Sequence, residues 1–204
     1  MKTIFLHGLG QTPASWSAVT QLTGSAYACP ELFASGRSDY RELIGALEVR
    51  LAAEEAPLRL CGLSLGAVLA LDIALRKPEK AGELVLIGGQ YKMPRFLLKI
   101  QDIMFRFMPE RAFSGGGLSK RETIELTRSM RDIDFSSGLP SVQCRTAVLC
   151  GENDKANIRA AREMSAAIPN AELHIIAGSG HEVNIDAPAA IAEIINAMDS
   201  GLDA

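Results

Sequence analysis

Gly62-Leu63-Ser64-Leu65-Gly66 is the stretch that decides how this chain is read. A short apolar run, Pro57-Leu58-Arg59-Leu60-Cys61, leads into it. An apolar helix-like segment, Ala67-Val68-Leu69-Ala70-Leu71-Asp72-Ile73-Ala74-Leu75, leads away. A G-x-S-x-G pentapeptide between a strand and a helix is the pattern of a sharp turn that carries a serine at its tip. Such a turn has no room for side chains beside the serine, and Gly62 and Gly66 leave that space open. The backbone N–H of Leu65 then lies beside the serine oxygen, at a helix N-terminus whose dipole favours developing negative charge.

Outward from this turn the chain alternates short apolar runs with longer helical patterns. Strands are expected at Lys2–Leu6, 27–29, 58–61, 83–87, 146–150 and 172–176. Their continuous hydrophobicity suits strands covered on both faces, so the expected class is α/β with a mostly parallel sheet. Helices are expected at 15–22, 39–54, 65–75, 157–168 and 188–198. Ser38 or Asp39 is placed to cap the second of these, and Pro188 suits the first turn of the last.

Residues 95–138 break the alternation, with about two amphipathic helices and no strand. Phe96, Leu97, Ile100, Ile103, Met104, Phe107 and Met108 share helical spacing, and Gly115-Gly116-Gly117 interrupts the pattern before it resumes over 121–130. Two readings fit. These are surface helices at the sheet edge, or they form a lid over Ser64 in which Phe and Met make an adaptable apolar ceiling. The same apolar helices would serve a homodimer contact as well as a pocket roof.

A length of 204 residues suits one domain over 1–204 with a full core. The chain is 48% hydrophobic and 22% charged, the balance of a soluble globular protein. A net charge of −3 without any basic run gives no reason to expect nucleic acid or an anionic membrane as partner. The apolar run after Lys2 is too short for a signal peptide or a membrane span. The four cysteines, Cys29, Cys61, Cys144 and Cys150, are widely spaced and lack a metal-ligand pattern. Cys61 and Cys150 end apolar runs and read as buried free thiols, which fits a reducing, cytoplasmic compartment.

A serine hydroxyl is a poor nucleophile until a base lies within hydrogen-bond reach and a third group orients that base. His181 is the candidate base, in the loop Ala177-Gly178-Ser179-Gly180-His181-Glu182-Val183 after a strand. His174 lies inside that strand and reads as structural. Asp154 is the candidate orienter, in Cys150-Gly151-Glu152-Asn153-Asp154-Lys155, with Glu152 the second choice. Ser64, Asp154 and His181 each follow a strand end, and in a parallel sheet such ends share one crevice. The loop His7-Gly8-Leu9-Gly10-Gln11 follows the first strand. There the Leu9 N–H, with that of Leu65, would make an oxyanion hole. His7 is expected to bond the loop backbone, and Gln11 to donate near the hole.

With these residues in this order the chain resembles the α/β-hydrolase fold, in its small single-domain form. The resemblance spans nearly the whole chain and implies the order Ser64, Asp154, His181. It also implies a lid inserted before the strand that carries the acid, where 95–138 fall. Two departures stand out. The chain opens at the strand before the oxyanion loop, which implies a trimmed sheet of about six strands. Residues 30–38 keep only a Gly-x-Ser remnant of the family's D-x-P-G-x-G-x-S segment. The expected activity is a serine hydrolase on a small carboxylic ester or thioester, without metal or organic cofactor. A lyase or carbon–carbon bond hydrolase using the same residues, and a binding protein on this scaffold, remain open.

Overall fold

The computed structural model describes residues 1–34, 36, 38–94, 103, 105–113 and 115–201. Six parallel strands form one sheet: β1 (Lys2–Leu6), β2 (Tyr27–Ala28), β3 (Leu58–Leu63), β4 (Ala81–Ile87), β5 (Arg145–Gly151) and β6 (Ala171–Ile176). Their spatial order is β2-β1-β3-β4-β5-β6. The chain first moves outward from β1 to β2, then returns to the other side of β1 with β3. The order therefore reverses between β1 and β3, and a crevice opens at their carboxyl ends.

The alternating side chains of each strand sort into two cores. Ile4, Leu6, Leu84 and Leu86 pack on one face beneath α2 (Tyr40–Ala52), α3 (Leu65–Arg76) and α5 (Ile158–Ala167). Phe5, Val85 and Ile87 pack on the other, against Trp16, Val19, Ile191 and Ile195. Trp16 ends a 3-10 turn (Pro13–Trp16), Val19 lies in α1 (Ser17–Thr20), and the isoleucines lie in α7 (Pro188–Asp199). Most residues of the central strands thus meet apolar cover on both faces, which is why these strands read as largely apolar runs.

Local chemistry sets the helix starts. Asp39 caps α2, its carboxylate accepting from Arg41 N–H at 2.8 Å. Ser119 and Glu122 form a capping box at α4 (Lys120–Ser129). Pro188 occupies the first turn of α7.

Two expectations need correction. The helix over 15–22 splits into the 3-10 turn and α1, because Pro13 starts a tighter turn. Not every strand is covered twice: β6 is the sheet edge, and its Leu173 and Ile175 stand 37% and 38% exposed. Among the described residues of 95–138 there is no strand, only an isolated antiparallel bridge from Asp134 to Lys92. Met93 N–H donates to Ile133 O at 3.0 Å and Phe135 N–H to Tyr91 O at 2.8 Å, so 91–93 and 133–135 are tied together. Of the expected apolar helix set, Phe96, Leu97, Ile100 and Met104 lie outside the described residues. Ile103 and Phe107 are exposed.

Candidate active site

The serine turn is built by close approach. A Cβ on Gly62 would fall on the Gly66 carbonyl, and one on Gly66 would fall on the Leu6 carbonyl of β1. These contacts drive α3 directly against the ends of β3 and β1. Ser64 takes φ 54° and ψ −113°, and is the single non-glycine residue with positive φ among the described residues. Its N–H donates to Ile87 O at the end of β4, 2.8 Å away. Leu65, the first residue of α3, presents one of the helix N-terminal N–H groups that have no intrahelical partner.

The next residue after Ile87 reaches the imidazole. A Cβ on Gly88 would lie 3.2 Å from His181 Cε1 and Nδ1, and 3.4 Å from Asp154 Oδ2. Ser64 and His181 thus each lie against the Ile87–Gly88 segment, one through a backbone hydrogen bond and the other by close approach. The loops of Asp154 and His181 also meet closely, since a Cβ on Gly151 would fall on the Gly180 carbonyl. His181 Nδ1 donates to Asp154 Oδ2 at 2.7 Å. This bond points Nε2 away from the acid. No hydrogen bond joins the Ser64 hydroxyl to the ring among the described residues.

The electrostatics follow from this pairing. The hydrogen bond and charge of Asp154 raise the His181 pKa above its ordinary value, outweighing burial, with Glu182 adding to the rise. Burial opposes ionisation of Asp154. Hydrogen bonds from His181 and Asn157 outweigh it and hold the carboxyl below the usual range. Asn157 was not singled out from sequence. Its amide Nδ2 donates to both Asp154 oxygens, at 2.9 and 2.8 Å.

The first loop is fixed by its flanking residues. His7 is fully buried; Nδ1 donates to Gly8 O at 3.0 Å and Nε2 accepts from Leu32 N–H at 3.2 Å. Burial lowers its pKa, so it is a neutral tether, as its expected loop role requires. Contrary to expectation, Gln11 accepts rather than donates beside Leu9. Its Oε1 accepts from Gly8 N–H at 3.3 Å, while Nε2 donates to Glu182 Oε1 at 2.8 Å and Asn184 Oδ1 at 3.2 Å. Asn184, in α6 (Val183–Asp186), donates back to Gln11 Oε1. The pair ties the loop of Leu9 to the loop of His181, a contact between residues 173 apart in sequence that no local pattern announces.

Glu152, the second-choice acid, accepts from Gly178 N–H at 3.0 Å and does not meet the imidazole. His174 stands in β6, where burial lowers its pKa. All four cysteines are free, and Cys61 and Cys150 are buried. Among the described residues no cluster of His, Cys, Asp or Glu is arranged to hold a metal, and no helix is long and apolar enough to cross a membrane. A groove of about 780 Å³ opens beside the site, lined by Gln90, Tyr91, Met93, Ile133 and Arg159 among others. It reaches neither Ser64 nor His181.

Known proteins place this geometry. A protein-family model described as "Alpha/beta hydrolase family" matches residues 3–194. The pimeloyl-[acyl-carrier protein] methyl ester esterase of Aromatoleum aromaticum is 37% identical over 89 residues, which are 42% of this chain and 36% of that protein. The match thus spans about a third of that esterase's length. The 2-hydroxy-6-oxononadienedioate/2-hydroxy-6-oxononatrienedioate hydrolase 2 of Pseudomonas putida is 25% identical over 87% of this chain and 80% of its own. Among solved structures, MenH from S. aureus superposes with a TM-score of 0.83 at 14% identity, covering 98% of this chain and 94% of that one. The family match runs over nearly all of the sheet and its crevice, and the chain belongs to the alpha/beta hydrolase family.

Proposed function

We propose that this chain is a serine hydrolase that cleaves a small carboxylic ester or thioester through an acyl-enzyme. The observation that carries the reading is the 2.7 Å Asp154–His181 bond beside Gly88, next to the Ile87 carbonyl that holds the turn of a serine at φ 54°. The Ser64 oxygen attacks the substrate carbonyl and its proton passes to His181 Nε2. The oxyanion is held by the N–H groups of Leu65 and Leu9. The imidazolium then gives its proton to the leaving alcohol or thiol, and a water activated by the same nitrogen releases the acid. Asp154 keeps the Nδ1–H tautomer and stabilises the imidazolium. The partial match to a methyl ester esterase supports an ester as substrate.

The likeness to a Pseudomonas putida dienedioate hydrolase favours a second reading, carbon–carbon bond hydrolysis by the same residues. Hydrolysis of p-nitrophenyl esters of increasing acyl length, with Ser64→Ala as the blank, separates the two. We expect parent activity and a loss of about 10⁴-fold or more in the variant. A folded parent that leaves every ester intact would end the esterase reading and move the assay to vinylogous diketone acids.

A further inference from the structure

A chain of side-chain amides runs behind the acid. Gln90 lies just beyond β4, at the wall of the groove, and its Nε2 has two hydrogens. One points to the Ala156 carbonyl at 3.2 Å and the other to Asn157 Oδ1 at 2.7 Å. A backbone carbonyl only accepts, so it forces Gln90 to present nitrogen on this side. That nitrogen in turn needs an oxygen from Asn157. Asn157 therefore presents Nδ2 to Asp154, at 2.9 and 2.8 Å from its two oxygens. The reversed amide would set Oδ1 against the carboxylate and lose both bonds. Asn157 is also held by its own backbone, its N–H donating to Asp154 O at 3.2 Å.

We propose that Gln90 and Asn157 are positioning residues for the reaction: an amide relay anchored on the Ala156 carbonyl fixes Asp154 as an acceptor aimed at His181. This rests on the serine-hydrolase reading for its kinetic consequence. Its geometric content stands on the hydrogen bonds alone. The relay has two effects. With both oxygens bonded from behind, the carboxylate cannot rotate away from the ring, so His181 stays in register with Ser64. The same donors take up part of the carboxylate charge, and Nδ2 sits 3.2 Å from His181 Nδ1. Both features moderate the pull of Asp154 on the imidazolium and keep the base from being too readily protonated near neutral pH.

The test uses Asn157→Leu, which keeps the volume and removes the donor, and Gln90→Met, which removes the anchor without adding charge. The His181 ring is titrated by NMR in each folded protein, and ester turnover is followed beside it. The other charged groups around His181 stay in place: Glu182 beside it, Asp186 accepting from Gly180 N–H, and Glu152 accepting from Gly178 N–H. We expect the imidazole of Asn157→Leu to titrate at higher pH than the parent's, with kcat lower by about 10-fold from lost orientation. Gln90→Met should shift both in the same direction by less. Residues that only support the fold would lower Tm and leave the titration unmoved. A His181 titration identical to the parent's in both variants overturns the relay. If Asn157→Leu does not fold, the half-buried Gln90 position still decides the question. The titration needs no turnover, so a parent without esterase activity would sink the hydrolase reading and leave the relay to be judged by NMR.

Discussion

Gly88 offers a test that separates chemistry from stability. It stands between the serine turn and the imidazole, with φ +56° and its N–H donating to Leu149 O at 2.9 Å. In Gly88→Ala the new Cβ lies 3.2 Å from two ring atoms of His181 and 3.4 Å from Asp154 Oδ2. The left-handed backbone costs an alanine about 1–2 kcal/mol. For a chain of this size that lowers Tm by roughly 2–8 °C, at about 2–4 °C per kcal/mol. The ring must also give way by a few tenths of an ångström. A misplacement of 1 Å costs about 10²-fold in rate. A shift of that smaller size scales to about threefold to tenfold. The assay is the rate at which a fluorophosphonate labels Ser64, together with kcat/KM on a p-nitrophenyl ester, both well below the variant's Tm. A protein that loses the expected stability yet labels and turns over at the parent rate would refute the reasoning. The imidazole beside Gly88 would then not be the base that serves Ser64.

Two further outcomes follow from the charged groups. Because Asp154 raises the His181 pKa, the parent needs a pH above the ordinary histidine value of about 6.5 to hold the ring neutral and active. In Asp154→Asn the imidazole should titrate at lower pH by NMR, while turnover falls by about 10⁴-fold; an unshifted titration would contradict the pairing. The sign for stability is opposite: the raised pKa favours the fold in acid, and that contribution disappears as pH rises through the folded value. Arg59 is a separate case. It is 1% exposed in β3 and donates to Glu83 at 2.7 Å and Asp199 at 2.8 Å. Arg59→Met leaves both carboxylates unpaired and should cost about 3 kcal/mol in urea unfolding, the low end for a broken buried pair because both acids reach water. Five residues of strand, about 17 Å, separate it from Ser64, so turnover below Tm should hold. A cost under about 1 kcal/mol would mean the pairs contribute little.

What could be read from sequence was whatever depends on near neighbours. The glycines at 62 and 66 act on atoms of their own turn and of the strand beside it, so the pentapeptide announces its geometry. The central strands announce themselves because apolar cover on both faces leaves few polar positions in the run, Arg59 being one that is paired instead. The exposure of Leu173 and Ile175 could not be read this way, since β6 alternates Glu172, Leu173, His174 and Ile175, and which of its two faces is covered depends on what packs on the sheet there. Asn157 was missed for a similar reason. It lies three residues after Asp154, where many side chains would suit a turn, and its orientation is imposed by Gln90 from beyond a different strand. The Gln11–Asn184 tie is more remote still.

The crevice itself follows from one topological fact combined with one steric one. The reversal of strand order between β1 and β3 brings the Leu9 loop and the serine turn side by side without any direct sequence link. The strand order then places β4 and β5 next in line, so the loops after β3, β4, β5 and β6 succeed one another along a single rim. Loops on such a rim must nearly touch, and the chain leaves out side chains where they do, at Gly66 against Leu6, Gly88 against His181 and Gly151 against Gly180. Any parallel sheet with this order would bring the loops together. What distinguishes this chain is that the contacts set an imidazole against a carboxylate, and that the Asn157 amide, itself bonded by Gln90 from the loop after β4, holds that carboxylate from behind. Chemistry at this rim therefore depends on backbone spacing as much as on the reacting groups, which is why a single methyl group at residue 88 is expected to register in the rate.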